Sequence, residues 1–259
     1  MLLAIDVGNT QTVAGVYRGE ELSHRWRIAT NKSDTADELR IRLKQLLASD
    51  DIAVDDVRGI ALASVVPQLT LSWGSAIHRM FGKDMLVCSA ETAGELFPTD
   101  YPNPREIGAD RVADAVAAKE LYGAPAIVVD FGTATNIEVI DAQGRFAGGV
   151  IAPGVETSAT ALFSHATKLG AIDLIDPHTA IGHNTEQAIQ AGIVYGEADR
   201  VDGLVRRIFD QLGYETPVIA TGGLASRVAA QSKTITAINP ELTLEGLRLV
   251  FEACEQQSR

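Results

Sequence analysis

The sequence has 259 residues, of which 46% are hydrophobic and 22% charged. This is typical of one large or two ordinary globular domains with a full core, and it argues against a disordered chain. The formal net charge is −12, from 22 basic and 34 acidic residues. A general nucleic-acid or anionic-membrane surface is disfavoured, because it would need clustered cations.

Cysteine content and hydropathy exclude further classes of protein. Cys88 and Cys254 lie far apart and in no metal-binding spacing, so neither a disulfide framework nor a zinc site is predicted. The chain opens directly in a strand pattern without a basic targeting region, and no apolar run is long enough to cross a bilayer. We therefore expect a cytoplasmic protein with neither a membrane nor a nucleic acid as partner.

The first predicted element is a buried strand that ends in a polar loop. Leu2–Ile5 is an uninterrupted apolar run, and Asp-Val-Gly-Asn-Thr follows it. Gly8 would let the backbone approach a phosphate closely, and Asn9 and Thr10 would add neutral donors. Asp6 can hold a metal ion or its water shell. The loop is a candidate phosphate site without a lysine of its own, and a strand ending in an ordinary Asx turn is an equally good interpretation.

The next predicted elements build an α/β unit around that strand. Two strands follow across a hairpin turn, then a helix whose leucines share one face, another strand and a second helix. The first of these helices is predicted to be capped by Ser33 or Asp34. In chain order the elements are Val13–Tyr17, Leu22–Ile28, the helix carrying Leu39, Leu43, Leu46 and Leu47, Gly59–Val65, and the helix that Pro67 opens.

A second polar segment, Gly108-Ala109-Asp110-Arg111, precedes a helical pattern of alanine, valine and leucine. An Asp–Arg pair at this position permits two interpretations. Either Asp110 caps the helix and Arg111 is a surface charge, which is common in a first turn, or the pair belongs to a functional site. Spacing alone does not separate them.

The opening pattern occurs again in the middle of the chain. The apolar run Ala126–Asp130 ends in Asp-Phe-Gly-Thr-Ala-Thr, and strands at Asn136–Ile140 and Phe146–Ile151 follow across a turn. Two copies of one strand–loop–strand–turn–strand unit indicate duplicated α/β halves, which we assign to residues 1–120 and 121–259. Two Asp-x-Gly loops that face an interdomain cleft would be suited to hold the phosphates of one nucleotide.

Glycines mark two later segments. The predicted helix Glu186–Leu212, capped by Asn184 or Thr185, has three internal glycines, which close packing against a helix or subunit would explain, as would simple tolerance. A strand at Pro217–Ala220 leads into Thr221-Gly222-Gly223. This glycine pair would expose backbone amides and admit a flat group, although an ordinary tight turn also explains it.

In their order along the chain these segments resemble the type III pantothenate kinase family of the actin, sugar kinase and Hsp70 superfamily. The resemblance runs from Leu2 to about Phe251. It implies an α/β fold of two duplicated actin-like, ribonuclease H-like halves, each a mixed five-stranded sheet with flanking helices, and an ATP cleft between them. The matching motifs are Asp6-Val7-Gly8-Asn9-Thr10, Gly108-Ala109-Asp110-Arg111, Asp130-Phe131-Gly132-Thr133-Ala134-Thr135, Gly148-Gly149-Val150-Ile151-Ala152-Pro153-Gly154, Gly182-His183-Asn184-Thr185, Thr221-Gly222-Gly223 and Leu242-Thr243-Leu244-Glu245-Gly246-Leu247.

The resemblance implies three ATP-binding segments and two cations. Asp6 is similar to a residue that contacts magnesium, and Asp130 to the residue that binds an activating monovalent cation, potassium or ammonium. The last of the three segments is the adenosine motif. The implied ATP-binding residues are Asp6, Val7, Gly8, Asn9, Thr10, Gln11, Thr12 and Val13, then Gly132 and Thr133, then Thr221, Gly222 and Gly223.

The resemblance also implies the acceptor site. Asp110 is similar to the family's proton acceptor, which suits a primary hydroxyl that attacks the γ-phosphate, and Arg111 would pair with the pantothenate carboxylate. A homodimer is implied, with Thr185 a candidate to reach the site from the partner subunit. The implied pantothenate-binding residues are Tyr101, Gly108, Ala109, Asp110, Arg111 and Thr185.

The expected activity is ATP-dependent phosphorylation of (R)-pantothenate to 4′-phosphopantothenate, the first step of coenzyme A biosynthesis. One rival is a non-catalytic regulator, since family members have been named as accessory factors in gene regulation. The intact carboxylates Asp6, Asp110 and Asp130 argue against that rival. The other rival is a kinase or phosphatase of the superfamily that acts on a sugar or polyphosphate, against which Tyr101 and Gly108–Arg111 are the discriminating residues.

Overall fold

The computed structural model describes residues 1–165 and 172–257. Their contacts divide the chain into two compact units, Met1–Ala117 with the last helix and Ala118–Glu241. Each unit contains one mixed five-stranded sheet with flanking helices. The predicted fold class is therefore confirmed. In the part of the chain that the structure describes, no helix combines the length and the hydropathy needed to cross a membrane.

The first sheet is built from β1 (Leu2–Val7), β2 (Gln11–Arg18), β3 (Glu21–Ala29), β4 (Gly59–Ser64) and β5 (Leu86–Val87). Its strand order is β3-β2-β1-β4-β5. β1 is the central strand, antiparallel to β2 and parallel to β4. All of β1 except Asp6 is buried, which explains why an apolar run forms this strand and why its polar residues come only at its end.

Helices cover the first sheet and fix its core. They are α1 (Ala36–Ser49), α2 (Pro67–Phe81), α3 (Ala90–Ala93) and α4 (Ala109–Tyr122), with 3₁₀ turns at Val54–Asp56, Gly94–Leu96 and Pro104–Glu106. Leu39, Leu43 and Trp73 pack with alternate residues of β1 in one hydrophobic cluster. The predicted cap of α1 at Ser33 or Asp34 is wrong. Thr35 caps the helix, because its hydroxyl accepts the N–H of Glu38 and the Glu38 carboxylate accepts the N–H of Thr35 in a capping box.

The second sheet repeats the first. Its strands are β6 (Ala126–Phe131), β7 (Ala134–Ile140), β8 (Phe146–Pro153), β9 (Val218–Thr221) and β10 (Ala237–Ile238), in the order β10-β9-β6-β7-β8. As in the first sheet, the central strand is antiparallel to the strand that follows it and parallel to a later strand on its other side. The topology confirms the duplicated halves predicted from the two Asp-x-Gly segments.

The helices of the second unit are α5 (Val155–His165), α6 (Thr185–Gln190), α7 (Gly196–Leu212) and α8 (Ala225–Ala229). The predicted helix over Glu186–Leu212 is present, and a π-helical turn at Ala191–Tyr195 joins α6 to α7 within it, since the residues on both sides of the turn keep right-handed helical dihedral angles. Glycine lowers helix propensity, and Gly192 and Gly196 lie in and directly after this turn. Asn184, one of the two predicted caps, accepts the N–H of Gln187.

The last helix, α9 (Leu242–Gln257), groups with the first unit, whereas a division at residue 120 places it in the second half. It packs on β1 and β4. Three contacts explain the grouping. The Arg248 guanidinium lies 5.8 Å from the centre of the Tyr17 ring, and Leu244 meets Gly15. The Thr243 hydroxyl donates a hydrogen bond of 2.7 Å to Asp114.

Candidate active site

The first Asp-x-Gly loop joins β1 to β2. Asp6 lies opposite Val13 on β2 and Ala63 on β4, next to the end of the central strand. The N–H of Gly8 donates to the carbonyl oxygen of Gln11 at 3.0 Å and closes the turn. The side chains between them, those of Asn9 and Thr10, are exposed. This arrangement displays polar side chains and backbone at a strand end, as a phosphate site requires.

A segment from elsewhere in the first unit holds this loop. The N–H of Thr30 donates to the carbonyl oxygen of Thr10 at 2.9 Å, and the hydroxyls of Thr12 and Thr30 share a hydrogen bond of 2.8 Å. Thr12 is buried, and its hydroxyl holds the loop to Thr30. The ammonium group of Lys32 donates to the side-chain oxygen of Asn9 at 3.0 Å. Nothing in the local sequence indicates that Lys32 lies beside this loop.

Asp110 is the second residue of α4 and therefore not its N-cap. Its Oδ1 accepts the N–H of Arg111 at 2.8 Å. Burial raises the pKa of this carboxyl above its ordinary value, and the backbone and the charge of Arg111 only partly oppose the effect. A Cβ at Gly108 would lie 2.5 Å from Oδ1, so the glycine leaves the space that this carboxylate occupies. The carboxylate thus bonds the first turn of its own helix, as the capping interpretation expects, from a position inside the helix and not at the N-cap.

The Asp110 segment and the first loop share a neighbourhood within the first unit. The N–H of Val65 donates to the carbonyl oxygen of Val7 at 3.2 Å, and Cγ1 of Val65 lies 3.5 Å from the point where a Cβ of Gly108 would be. The buried thiol of Cys88 is affected by carboxylates from both segments. Burial raises the pKa of Cys88 to about 12, with further contributions from the carboxylates of Asp110, Asp114 and Asp6. Asp6 and Asp110 therefore both belong to the surroundings of Cys88 and Val65 within the first unit.

The second Asp-x-Gly loop joins β6 to β7 and is held by the start of α5. Asp130 lies opposite Asn136 on β7 and Thr221 on β9. The carbonyl oxygen of Thr133 accepts the N–H of Gly154 at 3.1 Å and the hydroxyl of Thr157 at 2.5 Å. A Cβ at Gly154 would overlap the carbonyl oxygen of Gly132, so the glycine permits this close approach. The last residue of the Gly-Val-Ile-Ala-Pro-Gly motif, Gly154, thus packs against the second loop and holds it in place.

The glycine pair after β9 lies against the same loop. Gly222 has a φ of +92°, which favours glycine. The point where its Cβ would be is 2.6 Å from the carbonyl oxygen of Phe131 and closer still to Oδ1 of Asp130. The structure therefore brings Asp130 and Thr221–Gly222, predicted from separate motifs, to one edge of the second sheet.

A buried polar network lies behind the second loop. The hydroxyl of Thr135 donates to the Glu197 carboxylate at 2.6 Å, and Arg200 forms an ion pair with Glu197. Arg200 also donates to the carbonyl oxygen of Pro153 at 2.6 Å. Sequence reasoning missed these residues, because Glu197 and Arg200 lie on α7, far along the chain from the loop, and match no short motif.

The two remaining predicted site residues are exposed. Tyr101, 37% exposed, lies in the loop between Pro98 and Pro104 of the first unit, and its N–H donates to the Thr99 hydroxyl at 3.0 Å. Thr185 begins α6 in the second unit. Among residues 1–165 and 172–257, no group of three or more His, Cys, Asp or Glu side chains is arranged to hold a metal ion.

Comparison with known sequences gives one consistent result. A family model described as type III pantothenate kinase matches residues 2–207. The chain is 47% identical over 253 residues to the type III pantothenate kinase of Frankia alni, covering 97% of this chain and 99% of that protein. It is 44% identical over 252 residues to the type III pantothenate kinase of Moorella thermoacetica, with the same coverage.

Solved structures agree on the fold. The activator of 2-hydroxyisocaproyl-CoA dehydratase from Clostridium difficile, solved with bound ADPNP, aligns with a TM-score of 0.61 at 16% identity, covering 99% of this chain and 96% of that one. The ROK hexokinase of Thermus thermophilus aligns with a TM-score of 0.51 at 14% identity over 100% of this chain and 99% of that one. At these identities the likeness concerns the fold alone.

Proposed function

The chain belongs to the type III pantothenate kinase family, and from that membership we propose how its residues carry out the reaction. The protein is an ATP-dependent kinase that phosphorylates pantothenate in coenzyme A biosynthesis. Transfer of the γ-phosphoryl group to a hydroxyl releases one proton and ADP. The reaction therefore needs a proton acceptor, a site for the phosphates of ATP and a site for pantothenate.

Asp110 is the proton acceptor in this proposal. Burial raises its pKa, which makes the carboxylate a stronger base than an exposed aspartate. Its position carries the assignment, since Val65 touches both the end of β1, where Asp6 lies, and the space beside Gly108 into which the Asp110 carboxylate extends. A base must be close to the transferring phosphoryl group, and this fold supplies such a carboxylate beside the first loop.

The first loop binds the ATP phosphates and magnesium. Within Asp6–Val13 the exposed side chains of Asn9, Thr10 and Gln11 lie at the turn, whereas the Thr12 hydroxyl is already bonded to Thr30. Magnesium usually takes one or two protein carboxylates and completes its shell with water and phosphate oxygens. Asp6 fits this requirement as a single carboxylate at the edge of the loop. Bound magnesium would neutralise charge on the phosphates of ATP.

The second loop binds ATP and a monovalent cation. Gly132 and Thr133 contact the nucleotide, and Thr221–Gly223 receive its adenosine. The fit to potassium or ammonium rests on oxygen chemistry, since an Asp130 oxygen and the Phe131 carbonyl oxygen both border the space beside Gly222. Hard cations prefer carboxylate and carbonyl oxygens of this kind. A cation bound there would add positive charge to the site.

Pantothenate is bound by Tyr101, by Gly108–Arg111 and by Thr185. Its carboxylate pairs with the Arg111 guanidinium, the side chain best suited to bidentate contact with a planar anion. We also propose that the enzyme is a cytoplasmic homodimer, which the small residues around Ala191–Tyr195 support by permitting close helix packing. A monomeric mass in light scattering at micromolar concentration would contradict the dimer.

The test of the catalytic assignment is Asp110→Asn, assayed for pantothenate phosphorylation with magnesium and potassium. Loss of a general base should lower kcat by about 10² to 10⁴ with the fold intact. Asp55→Asn, at an exposed carboxylate of the same unit, removes the same charge and should retain wild-type turnover. Near-normal turnover of a folded Asp110→Asn enzyme would remove Asp110 from this role.

The same variant has an expected stability signature. Because burial raises the pKa of Asp110, ionising this carboxyl costs the folded protein more than the unfolded chain. The penalty is absent below the ordinary pKa of about 4 and grows as the pH rises above it, so it is present at pH 7. Asp110→Asn should therefore unfold at a higher temperature than wild type at pH 7, with the difference shrinking towards pH 4. A difference that does not change with pH would contradict the raised pKa.

A further inference from the structure

We propose that Lys32 is a phosphate-binding residue of the nucleotide site and supplies the cation that the first loop lacks in its own sequence. The inference rests on the proposed function, in which Asp6–Val13 hold the phosphates of ATP. It adds a residue that no motif of the sequence indicates. Lys32 lies on the connection between β3 and α1, outside each segment assigned to ATP.

The side chain of Lys32 ends at the tip of the first loop. Its ammonium group donates to Oδ1 of Asn9 at 3.0 Å, and Asn9 is exposed at the turn between β1 and β2. An ammonium carries three N–H donors, so one bond to an amide oxygen leaves capacity for an anion at the same place. The charge of Lys32 is therefore positioned at the exposed tip of the loop, beside Asn9.

Contacts on both sides of Lys32 fix the segment that carries it. Before it, the N–H of Thr30 donates to the Thr10 carbonyl oxygen at 2.9 Å, and the Thr30 hydroxyl bonds Thr12. After it, the Asp34 side chain is 2% exposed and forms an ion pair with Arg42 of α1. The segment is thus attached to the loop at one end and to a helix at the other. Few conformations of the Lys32 backbone remain compatible with these contacts.

Electrostatics explains why a cation is needed there. The triphosphate of ATP is strongly anionic, Asp6 adds a carboxylate to the loop, and the chain has a net charge of −12. Like charges raise the free energy of bringing the nucleotide to the loop. A lysine at the tip offsets that repulsion and acts as a point charge for phosphate, a role in which lysine is common. The effect should grow with the number of phosphates.

The test is a ladder of ligands measured by titration calorimetry with excess magnesium: adenosine, AMP, ADP and ATP. Lys32→Gln should raise the Kd for ADP and ATP about 5- to 10-fold and leave adenosine unchanged, as expected for one partly solvated charge. Lys32→Arg should retain most of the affinity. Lys44→Gln, which removes an exposed lysine from α1, is the matched control and should bind all four ligands as wild type does.

Two outcomes would overturn the proposal. In the first, Lys32→Gln binds ATP as tightly as Lys44→Gln. In the second, the affinity of Lys32→Gln falls by the same factor for adenosine as for ATP, which would mean that Lys32 only shapes the loop. The slope of log Kd against log salt concentration should also be shallower for Lys32→Gln. If wild type binds ATP but does not phosphorylate pantothenate, the acceptor assignment fails while the ladder still tests Lys32. If wild type binds no nucleotide, both proposals fall.

Discussion

The two Asp-x-Gly loops have the same strand context, but different parts of the molecule hold them in place. Each follows a buried central strand and leads into an antiparallel partner. The first loop consists of Gly8–Gln11, which connect the last paired residues of β1 and β2. The second consists of Gly132–Ala134, which connect those of β6 and β7, and is one residue shorter. In the first loop Asn9 and Thr10 are exposed. In the second the side chain of Thr133 is exposed too, but its carbonyl oxygen accepts two hydrogen bonds from the start of α5, those of Gly154 and Thr157.

The difference shows how one duplicated unit can serve two tasks. A loop that displays side chains and lies beside Lys32 is suited to a mobile, highly charged ligand such as a triphosphate with its metal. A loop whose backbone is packed against α5 and against Gly222 is suited to hold carbonyl and carboxylate oxygens in a fixed arrangement. We expect magnesium and potassium to depend on different halves of the chain for this reason.

The largest effect on activity that we expect from this comparison distinguishes Asp6 of the first loop from Asp130 of the second. Asp6→Asn should lower kcat/KM by about 10² to 10³, since it removes the carboxylate assigned to magnesium, and its residual activity should still respond to potassium. Asp130→Asn should lower turnover and abolish the difference between potassium and sodium. The measurement is a steady-state assay of each variant over a grid of both cations. Potassium stimulation that survives in Asp130→Asn would undo the assignment of the two cations to different loops.

A smaller effect compares packing at two glycines. A Cβ at Gly154 would overlap the Gly132 carbonyl oxygen and lie 2.7 Å from that of Thr133, so Gly154→Ala should lower the free energy of unfolding by about 3 kcal/mol. A Cβ at Gly8 would lie 3.0 Å from the single Gln11 carbonyl oxygen, and Gly8→Ala should cost about 1 kcal/mol. Urea unfolding measures both. Equal costs would mean that the two loops are packed alike.

The sequence predicted the repeat because both central strands are apolar runs cut off by Asp-x-Gly. It also located the strands around them, since each is set by local hydrophobic pattern and turn residues. Thr35 caps α1 in place of the predicted Ser33 or Asp34, because Glu38 lies three residues after Thr35 and completes a capping box, which is a purely local pattern. The π-helical turn between α6 and α7 is not predicted, because helix propensity alone does not locate such a turn.

The candidate site was less predictable where tertiary contacts build it. Asp6, Asp110 and Asp130 belong to short motifs, and those motifs make them candidates from the sequence alone. Lys32 and Glu197 are not among these candidates, because each meets its loop through a contact between distant parts of the chain. The pKa shift of Asp110 likewise comes from burial, which a sequence does not specify residue by residue.

The smallest expected effect concerns the threonine hydroxyls that tie each loop in place. Thr12 is buried and bonded to the Thr30 hydroxyl, so Thr12→Val should cost about 1 kcal/mol of unfolding free energy by leaving that hydroxyl without its partner. Thr157 is exposed, and water can replace its bond to the Thr133 carbonyl oxygen, so Thr157→Val should cost about 0.5 kcal/mol. Replicate urea curves, with Thr12→Ser and Thr157→Ser as controls that keep the hydroxyl, resolve this difference. If Thr157→Val costs more than Thr12→Val, the second loop depends on its side-chain tether as well as on Gly154, and close backbone packing alone does not hold it.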